Sequence, residues 1–112
     1  MSGKEIVRVS DFTKYPGPRF ESLGPGSGEL FRDTILLPKI QKFGTNIVIN
    51  LDGVMGYGSS FLEESFGGAI RKGIDPKTLL KILEDVVCRD EPSLKDEITG
   101  YVIDEAKKRD LM

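Results

Sequence analysis

The sequence contains no histidine and only one cysteine, Cys88. Without histidine the chain lacks the usual general base, the commonest metal ligand and the side chain that titrates near neutral pH. A lone cysteine cannot form an intrachain disulfide. A serine nucleophile would need a lysine or a carboxylate as its base. We therefore predict no catalytic residues, no metal site and no cofactor, which favours a non-enzymatic protein.

Long apolar runs and blocks of like charge are also missing. No segment approaches the roughly 20 apolar residues that cross a bilayer, and the N-terminal letters MSGKEIVRV lack the apolar core of a signal peptide. The 16 basic and 18 acidic residues are interspersed and give a net charge of −2. This balance argues against nucleic acid as the main partner. These absences predict a cytoplasmic protein with neither membrane nor nucleic-acid contacts.

The sequence does contain enough apolar residues, 38% of 112, for a single globular domain spanning 1–112. Segments 5–9, 46–51 and 86–89 have the alternation or the β-branched composition of strands. Segment 19–23 would return beside the first strand as a hairpin after the turn-forming letters YPGP. The two later strands predict a mostly parallel pair joined by a crossover.

Helix-start signals occur at four places along the chain. Ser27 caps a helix that Pro38 interrupts or kinks. A second helix follows a Ser-Ser pair, Asp75 and Pro76 open a third, and Ser93 caps the last. Strands that alternate with helices predict an α/β fold, with a small mixed sheet of about four strands and three to four helices.

The stretch LDGVMGYGSSFLEESFGGAIRKG, residues 51–73, passes from an apolar strand through glycines to two serines and an amphipathic helix. Ser59 or Ser60 could simply cap that helix, which contributes about 1 kcal/mol. Capping does not explain Gly67 and Gly68, because each glycine inside a helix costs about 0.8–1.0 kcal/mol relative to alanine. Close packing against another helix of the chain or against a partner would offset that cost, and both explanations stay open.

This stretch also resembles a known family. LDGVMGYGSSFLEESFGG is similar to the segment LSGVxxIDSSGLGxLL of anti-sigma-factor antagonist (STAS) domains, with the same spacing from the Gly-Val pair to the serine pair. YPGPRFESLGPGSGELFRDTILLPKI, together with INLDGVMGYGSSFLEESFGGAIRKG, resembles a bacterial STAS-like domain family of unassigned function. The resemblance spans roughly 12–73 and implies a STAS-like fold.

The resemblance implies a mode of action as well. STAS antagonists bind a histidine-kinase-like ATPase that acts as an anti-sigma factor and serine kinase, and phosphorylation of the second serine of the pair switches them off. That serine is Ser60 here. The aspartate that precedes the pair in the antagonists is Gly58 in this chain. A phosphate on Ser60 would be attracted by the helix N-terminus and repelled by Glu63 and Glu64.

We predict a docking surface for a protein partner at the start and flank of this helix. Its residues are Gly58, Ser59, Ser60, Glu63, Glu64, Gly67, Gly68 and Arg71. An anion-binding set is a second prediction, because arginine binds carboxylates and phosphates through paired hydrogen bonds. Its residues are Arg19, Ser27, Gly28 and Arg32. Ordinary ion pairs with Glu21, Glu29 or Asp33 are the alternative role for the two arginines.

Three functions remain open. The first is a regulatory protein-interaction module, with a histidine-kinase-like ATPase as the partner that the resemblance implies. The second is a nucleotide- or anion-binding domain or a weak hydrolase that uses the same helix N-terminus, although GPGSGELF lacks the Gly-Lys-Ser/Thr ending of a P-loop. The third is an inhibitor encoded by a phage or mobile element. A homodimer is compatible with each of them.

Overall fold

The computed structural model describes residues 3–112, which form an α/β fold with two parallel strands and five helices. Residues 1 and 2 of the predicted domain lie outside this range. The elements in chain order are β1 (Glu5–Arg8), α1 (Val9–Phe12), α2 (28–43), β2 (Ile47–Asn50), α3 (59–71), α4 (Pro76–Leu83) and α5 (Leu94–Lys108), with a 3-10 turn at Glu21–Leu23. No helix within residues 3–112 is long and apolar enough to cross a membrane.

The sheet is parallel and narrow. β1 pairs with β2 from Glu5 opposite Ile47 to Arg8 opposite Asn50, and Val87 forms a parallel bridge to Asn50 at the other edge of β2. The prediction of strands at 5–9 and 46–51 is confirmed. Segment 86–89 is parallel as predicted, but it contributes only this bridge. Within the described part of the chain the sheet therefore has two strands rather than about four, and it is not mixed.

The predicted hairpin is wrong, because segment 19–23 does not form a strand. The N–H of Leu23 donates to the carbonyl of Phe20, which closes the 3-10 turn. We call residues 14–19, which precede this turn, the strap. Pro16 and Pro18 in the strap have no N–H for a strand ladder. Their carbonyls instead accept hydrogen bonds near the starts of α3 and α2.

α2 begins as predicted and continues through its proline. The Ser27 Oγ accepts the N–H of Leu30 at 3.1 Å, so the predicted cap is confirmed. Pro38 does not end the helix. The N–H of Leu37 instead bonds to the carbonyl of Arg32, five residues back, in a π turn just before the proline. The wider turn eases the clash between a proline ring and the carbonyl four residues earlier.

The last two helices follow their start signals. The Asp75 Oδ1 accepts the N–H of Lys77 at 2.9 Å, and Pro76 is the first residue of α4, as predicted. Ser93 occupies the position before α5, but its hydroxyl makes no capping bond. Its backbone is already helical, whereas a capping serine has an extended backbone.

The core lies on one face of the sheet. Val7, Ile47, Ile49 and Leu51 are at most 3% exposed. The helices contribute the other large buried side chains, which are Val9, Phe31, Leu36, Ile40, Phe61, Leu62, Phe66, Ile70, Leu79, Ile82, Leu83, Leu94, Ile98 and Val102. On the opposite face Ile6 is 47% exposed, and its cross-strand neighbour Val48 is only half-buried. The domain is a two-layer structure with its helices on one side.

Candidate functional site at the start of α3

α3 begins at the serine pair, with Gly58 as its N-cap. The carbonyl of Gly58 accepts the N–H of Leu62 at 3.2 Å, and no side chain caps the helix. Capping by Ser59 or Ser60, one of the explanations that the sequence left open, is therefore not observed. A serine caps from the position before the first helical residue, and both serines here already lie in the first turn. Ser59 is exposed and Ser60 is half-buried, and neither hydroxyl is used as a cap.

The strap crosses the start of α3. The carbonyl of Lys14 accepts the N–H of Met55 at 2.9 Å, and the carbonyl of Pro16 accepts the N–H of Gly58 at 2.8 Å. A Cβ atom on Gly58 would lie 2.7 Å from the carbonyl oxygen of Gly17. The strap thus leaves no room for a side chain at position 58. This contact accounts for the glycine at the position where STAS antagonists have aspartate.

Two large apolar side chains are exposed in the segments that meet just before the serine pair. Tyr15 in the strap is 71% exposed, and Met55 before α3 is 76% exposed. The hydrogen bond between Met55 and Lys14 joins their two segments. We call Tyr15, Met55, Ser59 and Ser60 the junction surface. Exposed aromatic and methionine side chains beside hydroxyl groups have the composition of a protein-binding surface.

Behind the junction surface lies a group of charged residues that we call the arginine–glutamate cluster. Its members are Arg19, Arg32, Glu63, Glu64, Arg71 and Glu105. Glu64 is buried, and its carboxylate pairs with Arg32, whose side chain is 4% exposed. Arg19 and Arg71 approach the other oxygen of Glu64 at 3.1 and 3.3 Å. Three guanidinium groups therefore compensate this buried carboxylate.

Glu63 and Arg71 connect the cluster to α5. Arg71 donates to both oxygens of Glu63 at 2.9 and 3.0 Å, a bidentate geometry that is among the strongest for an ion pair. The hydrogen bonds from Arg71 and Arg19 lower the pKa of Glu63 to about 2, although burial acts in the opposite direction. Glu63 is thus ionised at neutral pH. Arg71 also contacts Glu105 of α5 at 2.7 Å.

Gly67 and Gly68 are buried, so their predicted place on a docking surface is corrected. A Cβ atom on Gly67 would lie 2.5 Å from Oε2 of Glu63, and one on Gly68 would lie 2.7 Å from Nη1 of Arg32. The glycines make room for the cluster inside the protein. Of the two explanations that the sequence left open, close packing within the chain is the one observed. Buried Glu64 is removed from the docking surface for the same reason.

The predicted anion-binding residues are occupied by groups of the chain itself. At the start of α2 the N–H groups of Gly28 and Glu29 donate to the carbonyls of Pro18 and Arg19, at 2.9 and 3.0 Å. The next N–H, of Leu30, donates to Ser27. Arg32 is bound to Asp33 and to the cluster. The pair with Asp33 was the ordinary alternative for this arginine, and the geometry does not favour an anion site here.

A cavity of about 210 Å³ opens at the carboxyl end of β2, beside the junction surface. Leu51, Tyr57 and Leu94 contribute to its lining. The hydroxyl of Tyr57 donates to the carbonyl of Leu51 at 2.6 Å, and burial raises the pKa of this phenol. Asp52 at the rim accepts the N–H of Asp90 at 3.0 Å. This bond ties the loop that follows β2 to the loop that follows Val87.

Sequence reasoning missed Glu105 and the crossing of the strap over α3. Glu105 lies 34 positions from Arg71, and no local pattern signals a pair at that separation. The strap did leave a signal in the letters YPGPR. Two prolines separated by one residue cannot supply the N–H groups of a strand, so the segment is suited to accept hydrogen bonds rather than to enter a ladder.

A family described as a STAS-like domain of unknown function (DUF4325) matches residues 27–90, which is more than half of the chain and includes α2, β2 and α3. No curated protein and no solved structure matches the chain. The matched segment contains the serine pair and most of the arginine–glutamate cluster. The chain therefore belongs to the family of STAS-like domains of unknown function.

Proposed function

We propose that this domain is a regulatory protein-interaction module that docks on a partner protein through the junction surface. The observation that carries the proposal is the exposure of Tyr15 and Met55, 71% and 76%, in two segments whose backbones are joined by hydrogen bonds just before the serine pair. By analogy with STAS antagonists, the partner is a histidine-kinase-like ATPase. Relative to the surface expected from the sequence, Tyr15 and Met55 are added, and only Ser59 and Ser60 are kept. Gly58 lies under the strap, Glu63, Glu64 and Arg71 belong to the arginine–glutamate cluster, and Gly67 and Gly68 are buried.

The junction surface is held in place before any partner arrives. Backbone bonds fasten the strap to Met55 and Gly58, and Arg19 at its end binds Glu63 and Glu64. A surface that is already ordered loses little conformational entropy on binding. This rigidity supports docking without rearrangement of the domain.

Two substitutions that place a charged side chain on the junction surface are expected to weaken binding of the partner. Ser59→Arg and Met55→Asp are each expected to weaken partner binding by roughly tenfold or more, because each disrupts the centre of the contact. The measurement is affinity capture from the native cells, followed by titration of the purified, mass-identified partner against each variant.

The matched control is Leu111→Asp. Leu111 is 51% exposed and lines a cavity together with Ile70, near the C-terminal end of α3. That end of the helix is about 18 Å from its start, because a helix rises 1.5 Å per residue. This variant is expected to bind as the wild type does. Equal binding by the wild type and all three variants would contradict the proposed docking surface. A partner that lacks an ATPase domain would contradict the proposed identity of the partner.

We further propose that Ser60 is the control point of this docking. Ser60 lies in the first turn of α3, where the positive end of the helix dipole favours a phosphate. The nearby charges of Glu63 and Glu64 are compensated by Arg19 and Arg71. Their repulsion of a phosphate is therefore weaker than the sequence alone suggests.

Intact-mass measurement of the protein from its native cells tests this control point. The wild type and Ser59→Ala are expected to carry one phosphate, and Ser60→Ala none. Absence of the phosphate from the wild type, or its retention in Ser60→Ala, would rule out Ser60 as the modified residue. Docking of the unmodified surface would be unaffected by that outcome.

A further inference from the structure

The cavity at the carboxyl end of β2 has an apolar interior. Leu51 and Leu94 in its lining are each 2% exposed, and Tyr57 in the same lining is half-buried. In open α/β sheets, ligands bind at the carboxyl ends of parallel strands. The cavity lies at this position, because residues of the loops that follow β2 and Val87 line it.

The volume of the cavity, about 210 Å³, limits what it can hold. Pockets for drug-sized ligands and cofactors measure about 300–1,000 Å³. A single long side chain of another protein needs less space. Lysine and arginine side chains bury their methylene stems along apolar surface and keep the charged head near water. Their shape suits a small cavity with an apolar interior and a polar rim.

The rim of the cavity is acidic. Asp52, Asp90 and Glu91 contribute to the lining, and no lysine or arginine of residues 3–112 does. None of the three carboxylates forms an ion pair within that range. No group of three His, Cys, Asp or Glu side chains in the described part of the chain is arranged to hold a metal ion. The rim therefore suits an extended organic cation better than a metal ion.

Backbone hydrogen bonds hold two of these carboxylates in place. The Asp52 Oδ1 accepts the N–H of Asp90, and the Asp90 Oδ2 accepts the N–H of Gly53, both at 3.0 Å. Each carboxylate uses one oxygen in this exchange, which leaves its other oxygen for a ligand. Burial and then the charges of Asp52 and Asp90 raise the pKa of the Tyr57 phenol. Their negative potential therefore reaches the interior of the cavity.

We propose that the cavity receives one lysine or arginine side chain of the partner that docks on the junction surface. This inference rests on the proposed function, because Met55 lines the cavity and is also part of the junction surface. The entering cation pairs with carboxylates that the described chain leaves without a counter-ion. Such charge complementarity selects the partner and fixes its register on the surface.

Titration of the full chain with small cations tests the cavity without the partner. The probes are n-butylammonium and n-propylguanidinium chloride, which copy the lysine and arginine side chains, and the amide signals are followed by nuclear magnetic resonance. At least one cation is expected to shift the signals of Gly53 and Asp90 in a saturable way at millimolar concentration, and 1-pentanol is expected not to do so. No saturable shift with either cation, or equal shifts with 1-pentanol, would overturn the proposal.

The combined substitution Asp52→Asn and Asp90→Asn tests the cavity with the purified, mass-identified partner. Asparagine keeps an oxygen for each backbone hydrogen bond and removes the charge. We expect partner binding to weaken about tenfold or more and to lose most of its dependence on salt. Glu91→Lys, which places a lysine of the chain itself at the rim, is expected to weaken binding as well. Thermal melting checks that both variants are folded.

The matched control is Asp104→Asn combined with Asp110→Asn. It changes the net charge by the same amount at two exposed positions. Asp104 lies ten residues after Leu94 in α5, about 15 Å along the helix. The control is expected to bind the partner as the wild type does. An equal loss of binding in the control and in the Asp52 and Asp90 variant would overturn the proposal in favour of a general effect of net charge.

A double-mutant cycle identifies the side chain of the partner. Each lysine and arginine of the partner is replaced in turn by alanine. One replacement is expected to weaken binding to the wild type about tenfold and to have no further effect on the Asp52 and Asp90 variant. If every replacement affects the wild type and the variant equally, no basic side chain enters the cavity and the proposal is overturned.

Ser59→Arg distinguishes failure of this inference from failure of the proposed function. If Ser59→Arg weakens partner binding and the Asp52 and Asp90 variant binds as the wild type does, the cavity has no role in docking and the junction surface keeps its own. The reverse result would leave the cavity as the docking site and remove the serine pair from it.

Discussion

Substitution of Gly28 by valine is expected to lower the free energy of unfolding by about 3 kcal/mol or more, because overpacking at a helix contact forces the backbone to move. A Cβ atom on Gly28 would overlap the carbonyl oxygen of Phe61 in α3 and lie 3.1 Å from Cβ of Glu64. The same contact includes a bond from the Ser65 hydroxyl to the Gly28 carbonyl at 3.3 Å. Separation of α2 from α3 at this point would disturb the packing that positions the first turn of α3 and its serine pair.

Urea denaturation of the wild type and Gly28→Val measures this loss. The matched control is Gly100→Ala, because Gly100 lies inside α5 with no atom within 4 Å of an added Cβ. There the methyl group is expected to stabilise the protein by about 0.8–1.0 kcal/mol. An unfolding midpoint of Gly28→Val equal to that of the wild type would show that a side chain at position 28 does not destabilise the protein. That result would contradict the close contact between α2 and α3 at Gly28.

Substitution of Glu64 by alanine is expected to cost about 3–5 kcal/mol, because it removes the only buried carboxylate of residues 3–112 that pairs with the buried Arg32. Arg32 is only 3% exposed, and its remaining carboxylate partner, Asp33, lies in solvent. Arg19 and Arg71 would lose one oxygen each. The free energy of unfolding from urea titrations at neutral pH is the measurement.

Two further variants identify the cause of that loss. Arg109→Ala removes an exposed partner of Glu105 and is expected to cost about 1 kcal/mol or less, as surface pairs do. The combined substitution Arg32→Met and Glu64→Leu removes both buried charges and is expected to recover much of the stability lost in Glu64→Ala. If the combined variant is less stable than Glu64→Ala, the uncompensated charge of Arg32 is not the cause of the stability lost in Glu64→Ala.

The parts of the fold that follow from neighbouring residues could be predicted from the sequence. The Ser27 cap, the Asp75 and Pro76 start and the strand around Ile47 and Ile49 are confirmed. In each case the hydrogen bond or the alternation involves residues within about four positions of one another, so the information is contained in a short window.

The site depends on contacts between distant residues, and there the sequence was less informative. Gly67 and Gly68 indicated that something approaches the helix, but the approaching groups, Arg32 and Glu63, could not be named from the pattern. Ser59 and Ser60 appeared to be caps because serine favours that position, yet the strap places Gly58 there instead. Local preference was overridden by a segment some 40 positions away.

The way in which the strap is fastened has a consequence for the diversity of such domains. Four main-chain oxygens, of Lys14, Pro16, Pro18 and Arg19, accept the bonds that hold it. The side chain of Tyr15 takes no part in these bonds. The residue at this outward-facing position can therefore be exchanged while the attachment persists. Under the proposed docking, such exchanges would change which partner is bound and leave folding intact.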